Sequence, residues 1–350
     1  MSVAVGERLR TQNERLTFAD SARGFMILVM LVGHTDPPKL LFKLIYGFHM
    51  PFFFLLSGYL FRAEEYARAP FPPYCKKRFR AYIVPYFLYA VCNLLINIPL
   101  ELRQGIAGKA LVTSTAKHIF WILYAVGDKV KTPNCTPLWF LPCLFVCCLL
   151  FFGLQRIPKQ ALRWAVCAAF CGVSFLLSEA HTPQLPWHVD TALLGTVFMQ
   201  IGLTARQMRF PQRVPYPRLA AIGAAAAGFF CILQNGPIDL NGMTLQNIFL
   251  TLAGSVCVSA AVLLVFCKFC RVRFLAWLGR NTLPVFAFNY AVNAYLRLVW
   301  GVLLPTVPLR WYLLAILDVP CCVGVALLVN GVRRRLRHNS GKHCRPTESV

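Results

Sequence analysis

Leu138-Trp-Phe-Leu-Pro-Cys-Leu-Phe-Val-Cys-Cys-Leu-Leu-Phe-Phe-Gly-Leu154 contains no charged residue and no alternation of polar with apolar side chains. A membrane-spanning β-strand would alternate; an unbroken apolar run calls for a helix, whose backbone groups pair within the segment. About 20 mostly apolar residues cross a bilayer as a helix. Comparable runs recur along the chain and predict ten spans, at 17–36, 40–61, 82–100, 137–155, 162–178, 187–204, 218–234, 246–267, 276–299 and 311–332. The expected fold class is therefore all-α, a polytopic membrane helical bundle of about ten transmembrane helices. It divides into a short N-terminal arm (1–16), a membrane domain (17–332) and a basic tail (333–350).

Composition excludes the competing classes. The net charge of +23 on 350 residues invites a nucleic-acid reading, but 57% of the chain is apolar and 14% charged. The mean hydropathy is +0.57. One soluble core of this length could not bury so much apolar surface. Disordered chains are poor in aromatics, whereas 13% of this one is Phe, Trp or Tyr. Charge placement then gives direction. If ten spans alternate from a cytoplasmic N-terminus, 27 of the 36 basic residues fall on the cytoplasmic side. The positive-inside rule predicts that bias when both termini are cytoplasmic, and the expected location is the inner cell membrane. No partner nucleic acid is expected.

The long outer segment 101–136 holds a short apolar stretch, Ile119 to Tyr124, suited to the membrane interface. It also carries the sequon Asn134-Cys135-Thr136, which matters only in a eukaryotic secretory membrane. Most of the fifteen cysteines lie in expected spans, where Cys serves as a small hydrophobe. Cys267-x-x-Cys270 has no second pair or nearby His to complete a zinc site, so no metal is expected.

Ionisable groups inside spans are costly, and each is a functional candidate. The first span carries Asp20, Arg23 and His34. Arg23 and His34 are eleven residues apart, which on a helix separates them by about 20° around the axis and about 16 Å along it. One stripe thus bears the Asp20–Arg23 pair at one end and His34 at the other. Gly24 would let a ligand approach the backbone. An imidazole that titrates near neutrality suits a general base. Asp20 and Arg23 could equally form a simple interfacial pair. The second span opens His49-Met50-Pro51 and continues to Ser57-Gly58-Tyr59; His49 could take part in chemistry or in a structural hydrogen bond.

These residues, Asp20-Ser-Ala-Arg23-Gly24, His34, Phe48-His49-Met50-Pro51-Phe-Phe and Ser57-Gly58-Tyr59, resemble the acyltransferase 3 family of integral membrane proteins. The variant resembles the O-acetylases of sugars and surface polysaccharides, such as the fucose 4-O-acetylase group. Leu138-Trp139-Phe140-Leu141 and Leu278-Gly279-Arg280-Asn281-Thr282-Leu283 add to the likeness. The resemblance implies an enzyme that uses acetyl-coenzyme A as donor, with no tightly bound cofactor, and Arg23 and His34 as its essential pair. Many members carry a histidine late in the ninth span, where this chain has Asn289.

The expected mechanism keeps the nucleotide of acetyl-coenzyme A on the cytoplasmic side, held by Arg23, Gly24, Arg78 and Arg80. The thioester arm then enters towards His34. His34 deprotonates an acceptor hydroxyl on a sugar or glycan, or is itself transiently acetylated. Asp20, His49, Ser57 and Trp139 support the site; an orienting carboxylate for His34, if there is one, is a residue other than Asp20, such as Asp36 or Asp190. The Lys76, Lys77, Arg78 and Arg80 cluster has a competing explanation in topology. Two rival classes remain open on sequence alone: a transporter or flippase, and a degenerate homologue without activity.

Overall fold

Every long apolar run of the described chain is helical. The computed structural model describes residues 2–62, 69–270 and 272–342, with side chains throughout except at 2–16 and 336–342. Of the cations counted on the cytoplasmic side, Arg68, Arg271 and Arg345, and the side chains of Arg8, Arg10, Arg15, Arg337 and Lys342, lie outside this description.

The helices in chain order are α1 (Ser2–Gly33), α2 (Lys39–Tyr46), α3 (His49–Tyr59), α4 (Phe71–Arg103), α5 (Lys109–Tyr124), α6 (Phe140–Leu154) and α7 (Gln160–Glu179). They continue as α8 (Val189–Gln207), α9 (Pro217–Gln234), α10 (Ile248–Lys268), α11 (Arg273–Arg280), α12 (Thr282–Leu303) and α13 (Trp311–Lys342). Among the described residues there is no strand beyond one bridge, Asp239 to Thr244, that closes a hairpin between α9 and α10.

Seven helical stretches are long and apolar enough to cross a membrane: Lys39–Tyr59, Phe71–Arg103, Thr136–Leu154, Gln160–Glu179, Pro217–Gln234, Ile248–Lys268 and Trp311–Arg335. The other three expected spans are helical too, in α1, α8 and α11–α12. Length and apolarity therefore establish seven candidate spans.

Two expected spans are broken. The second divides into α2 and α3 at Gly47–Phe48, where Ser255 on α10 donates to the freed Gly47 carbonyl at 2.6 Å. Pro51 at the start of α3 needs no hydrogen-bond acceptor for a backbone N–H it lacks. The ninth divides into α11 and α12 at Asn281, whose side chain donates to the Trp277 carbonyl at 2.7 Å.

Glycine sets the closest helix crossings. A Cβ on Gly24 would collide with the Leu275 carbonyl, and one on Gly279 with the Asp20 carbonyl, so α1 and α11 meet backbone to backbone. Gly58 against Met199 and Gly202 against Leu55 join α3 to α8 in the same way. Along the described side chains of α1, Phe18, Ala22 and Met26 lie in one apolar cluster and Ile27, Met30 and Leu31 in another. This seam position carries Arg23 and His34 into the interior.

The segment 101–136 contains a further helix. It folds as the sixteen-residue α5, which exposes Val112, Ile119, Phe120 and Leu123. Its inner face is tied down where His118 Nε2 meets Glu101 at 2.8 Å. Asn134 of the sequon is buried and donates to Asn97 at 3.2 Å, which leaves no room for a glycan.

Candidate active site

His34 closes α1, its backbone N–H bonded to the carbonyls of Met30 and Leu31. Its Nδ1 lies 2.7 Å from Asn289 Oδ1 on α12. Asn289 Nδ2 donates in turn to Asp318 Oδ2 on α13 at 2.8 Å, and both residues are fully buried. Accepting through Oδ2, Asp318 fixes the Asn289 amide with its oxygen towards His34. That oxygen requires a proton on Nδ1, so the neutral ring keeps its lone pair on Nε2. Cys322 Sγ donates to the second Asp318 oxygen at 3.4 Å.

The orienting group therefore differs from the sequence expectation. Asp36 stands at the rim, paired with Arg297 at 2.7 Å and Lys129 at 3.8 Å. Asp190 accepts from the backbone of Thr191 and Leu185. Both carboxylates are occupied locally, and Asn289 with Asp318 behind it takes the place assigned to them.

His34 lines a cavity of about 430 Å³ together with His49, Tyr46, Trp139, Tyr290 and Asp239. His49 thus reaches the same chamber; its Nδ1 donates to the Ile45 carbonyl at 3.0 Å, which again leaves Nε2 as the lone-pair nitrogen. The Tyr290 ring stands edge-on to His34, 4.9 Å between centroids. The α9–α10 hairpin supplies Asp239, whose Oδ1 accepts from Asn241 N at 2.9 Å. Burial holds this carboxyl above the usual carboxylate range, opposed by the N–H groups of Asn241 and Gly242. Gln184 and Asn241 add amides to the wall, and Gln184 Nε2 donates to the Asn241 carbonyl.

Arg23 stands at the far end of the same stripe. Its Nη1 lies 3.4 Å from Asp20 and 3.5 Å from the Gly279 carbonyl, while Arg280 approaches Asp20 from the other side at 3.7 Å. Arg23 lines two adjoining cavities, and Ser57 and Tyr82 line both with it. One, of about 430 Å³, is basic, with Arg62, Lys77 and Arg78 in its wall. The other, of about 290 Å³, is a mostly apolar passage towards His34.

Two expected donor-binding residues fall elsewhere. Gly24 lines neither cavity, because the α11 backbone at Leu275 fills the space beside it. Arg80 is exposed and outside the basic cavity, since two residues along a helix turn a side chain by about 200° from Arg78. Lys77 and Arg62 stand there instead. Trp139, against His188 at 4.7 Å, forms part of the His34 chamber. Ser57 donates to the Phe53 carbonyl at 2.8 Å within the Arg23 cavities. Asp318 had a readable signal, a lone carboxylate in the last apolar run, and Asn289 stands where the resemblance places a histidine; Asp239 had no signal that ranked it.

Inside the helical bundle, then, a half-buried imidazole is backed by an amide and a carboxylate, and a basic cavity stands at the far end of its stripe. The acyltransferase 3 family, described as an acyltransferase domain, matches residues 16–329, and the chain belongs to this family. It is also similar to the nodulation protein NolL of Mesorhizobium japonicum, with 26% identity over 319 residues, covering 83% of this chain and 79% of that protein. No solved structure matches it.

Proposed function

We propose that this membrane acyltransferase moves an acetyl group from acetyl-coenzyme A to a hydroxyl of a sugar or cell-surface glycan. The carrying observation is the His34–Asn289–Asp318 chain of hydrogen bonds, at 2.7 and 2.8 Å, in a chamber separate from the basic Arg23 cavity.

The two cavities suit two chemically different substrates. The basic one, with Arg23, Arg62, Lys77 and Arg78, complements the phosphates of the donor, and the passage beyond it is narrow and apolar enough for a pantetheine arm. The His34 chamber combines ring faces (Tyr46, Trp139, Tyr290) with hydroxyl acceptors (Asp239, Asn241). Rings cover the C–H faces of a sugar, and the carboxylate and amide accept its hydroxyls. Asp128 and Asp239 outnumber Lys129 in the wall, which favours a neutral sugar over a phosphorylated one.

In the reaction, His34 Nε2 takes the proton of the acceptor hydroxyl as its oxygen attacks the acetyl carbonyl. Collapse of the tetrahedral intermediate breaks the carbon–sulfur bond, and the leaving thiolate recovers the proton from His34. The proposed orientation places the basic cavity and both termini in the cytoplasm and the His34 chamber on the outer side of the inner membrane.

His34→Ala should abolish acetyl transfer while protein of normal abundance stays in the membrane. The measurement is transfer of radiolabelled acetyl from acetyl-coenzyme A to membrane glycan; undiminished transfer by the variant overturns the assignment.

A further inference from the structure

The passage from Arg23 and the chamber of His34 share three lining residues: Met30, Met50 and Phe286. All three are buried, with 3%, 9% and 7% of their surface exposed. Each is tied by helical spacing or adjacency to a residue of the chamber. Met30 on α1 precedes His34 by four residues, Phe286 precedes Tyr290 by four on α12, and Met50 follows His49 in α3. A spacing of four places Met30 about 6 Å from His34 along the helix axis, on the Arg23 side.

We infer that Met30, Met50 and Phe286 form a one-layer apolar wall that sets the length of the acyl group transferred. This inference rests on the acyltransferase reading above. The thioester carbon must meet the acceptor oxygen beside His34 Nε2. Its sulfur arrives through the passage and its acceptor from the chamber. The third substituent, the acyl chain, is left with the space held by the wall. A methyl fits against two thioether side chains and a ring, whereas each further methylene must displace them. Methionine is the flexible member of such a wall and phenylalanine the rigid one. The ring of Phe286 also packs near Phe140, 6.3 Å between centroids, which limits its retreat.

The test compares acetyl-, propionyl-, butyryl- and hexanoyl-coenzyme A on the full-length protein in membranes. Thiol release is counted after subtraction of the His34→Ala background. Wild type should lose rate with each added methylene. Phe286→Ala and Met50→Ala should raise the hexanoyl-to-acetyl rate ratio about tenfold or more, the discrimination an apolar pocket exerts per methylene. Phe286→Leu and Met50→Leu, which conserve more volume, cover the case in which an alanine variant does not accumulate, and should shift the ratio in the same direction by less. An unchanged ratio in variants that still turn over acetyl-coenzyme A overturns the wall. Absence of His34-dependent release from every donor by wild type overturns the acyltransferase reading instead.

Discussion

At the scale of single residues, the site depends on a neutral amide holding an imidazole in one tautomer. Asn289 accepts from His34 through Oδ1 and donates to Asp318 through Nδ2, so a flip of its amide breaks both bonds. Asn289→Ala should lower kcat by about 100-fold or more, since loss of a tautomer-fixing partner is known to be that costly, and leave the donor KM nearly unchanged. Asp318→Asn frees the Asn289 amide to rotate and should lower kcat by less. Steady-state kinetics that instead show a raised KM at constant kcat would make both residues substrate ligands. Arg23 and His34 were legible in the sequence, because two ionisable groups eleven apart on one apolar helix share a face. Asn289 lies 255 residues from His34, and no local pattern connects them. Asp318 was legible in principle, since any carboxylate in an apolar span calls for a partner.

At the scale of elements, the apolar runs announced the helices, but not the points where they stop. The break between α2 and α3 is completed by Ser255, 208 residues away from the carbonyl it satisfies. Nor does a run of apolar letters reveal which glycines touch another backbone. Gly58 and Gly202 do, in the crossing of α3 with α8, whereas Gly153 and Gly172 face open space. Replacement of a helical glycine by alanine gains up to about 1 kcal/mol of helix propensity where nothing collides. Gly153→Ala and Gly172→Ala should therefore keep or raise the melting temperature of the detergent-purified protein. Gly58→Ala should lower it, because the added methyl meets the Met199 carbonyl and the two helices must part. Equal melting temperatures for Gly58→Ala and Gly172→Ala would show that the crossing is looser than described.

At the scale of the whole molecule, charge and geometry bear on the same axis. The basic residues counted on the expected cytoplasmic side, 27 of 36, follow the pattern that the positive-inside rule reads as an insertion signal. Few of them line the Arg23 cavity. Val130 in the segment after α5 and Met208 after α8 are 82% and 70% exposed and lie on opposite expected sides. Val130→Cys should react with a membrane-impermeant maleimide added to intact cells, and Met208→Cys only after the membrane is opened, each read against the unsubstituted chain. The reverse pattern would invert the proposed orientation. The two back-to-back cavities carry one more consequence. In the proposed reaction and orientation, a carrier that enters one mouth and an acceptor that enters the other need never exchange places, so a small fragment would change compartment while both larger molecules stay where they began. Cleavage of the carrier's own thioester would drive that passage. No ion gradient or rocking of the bundle is required to make it vectorial.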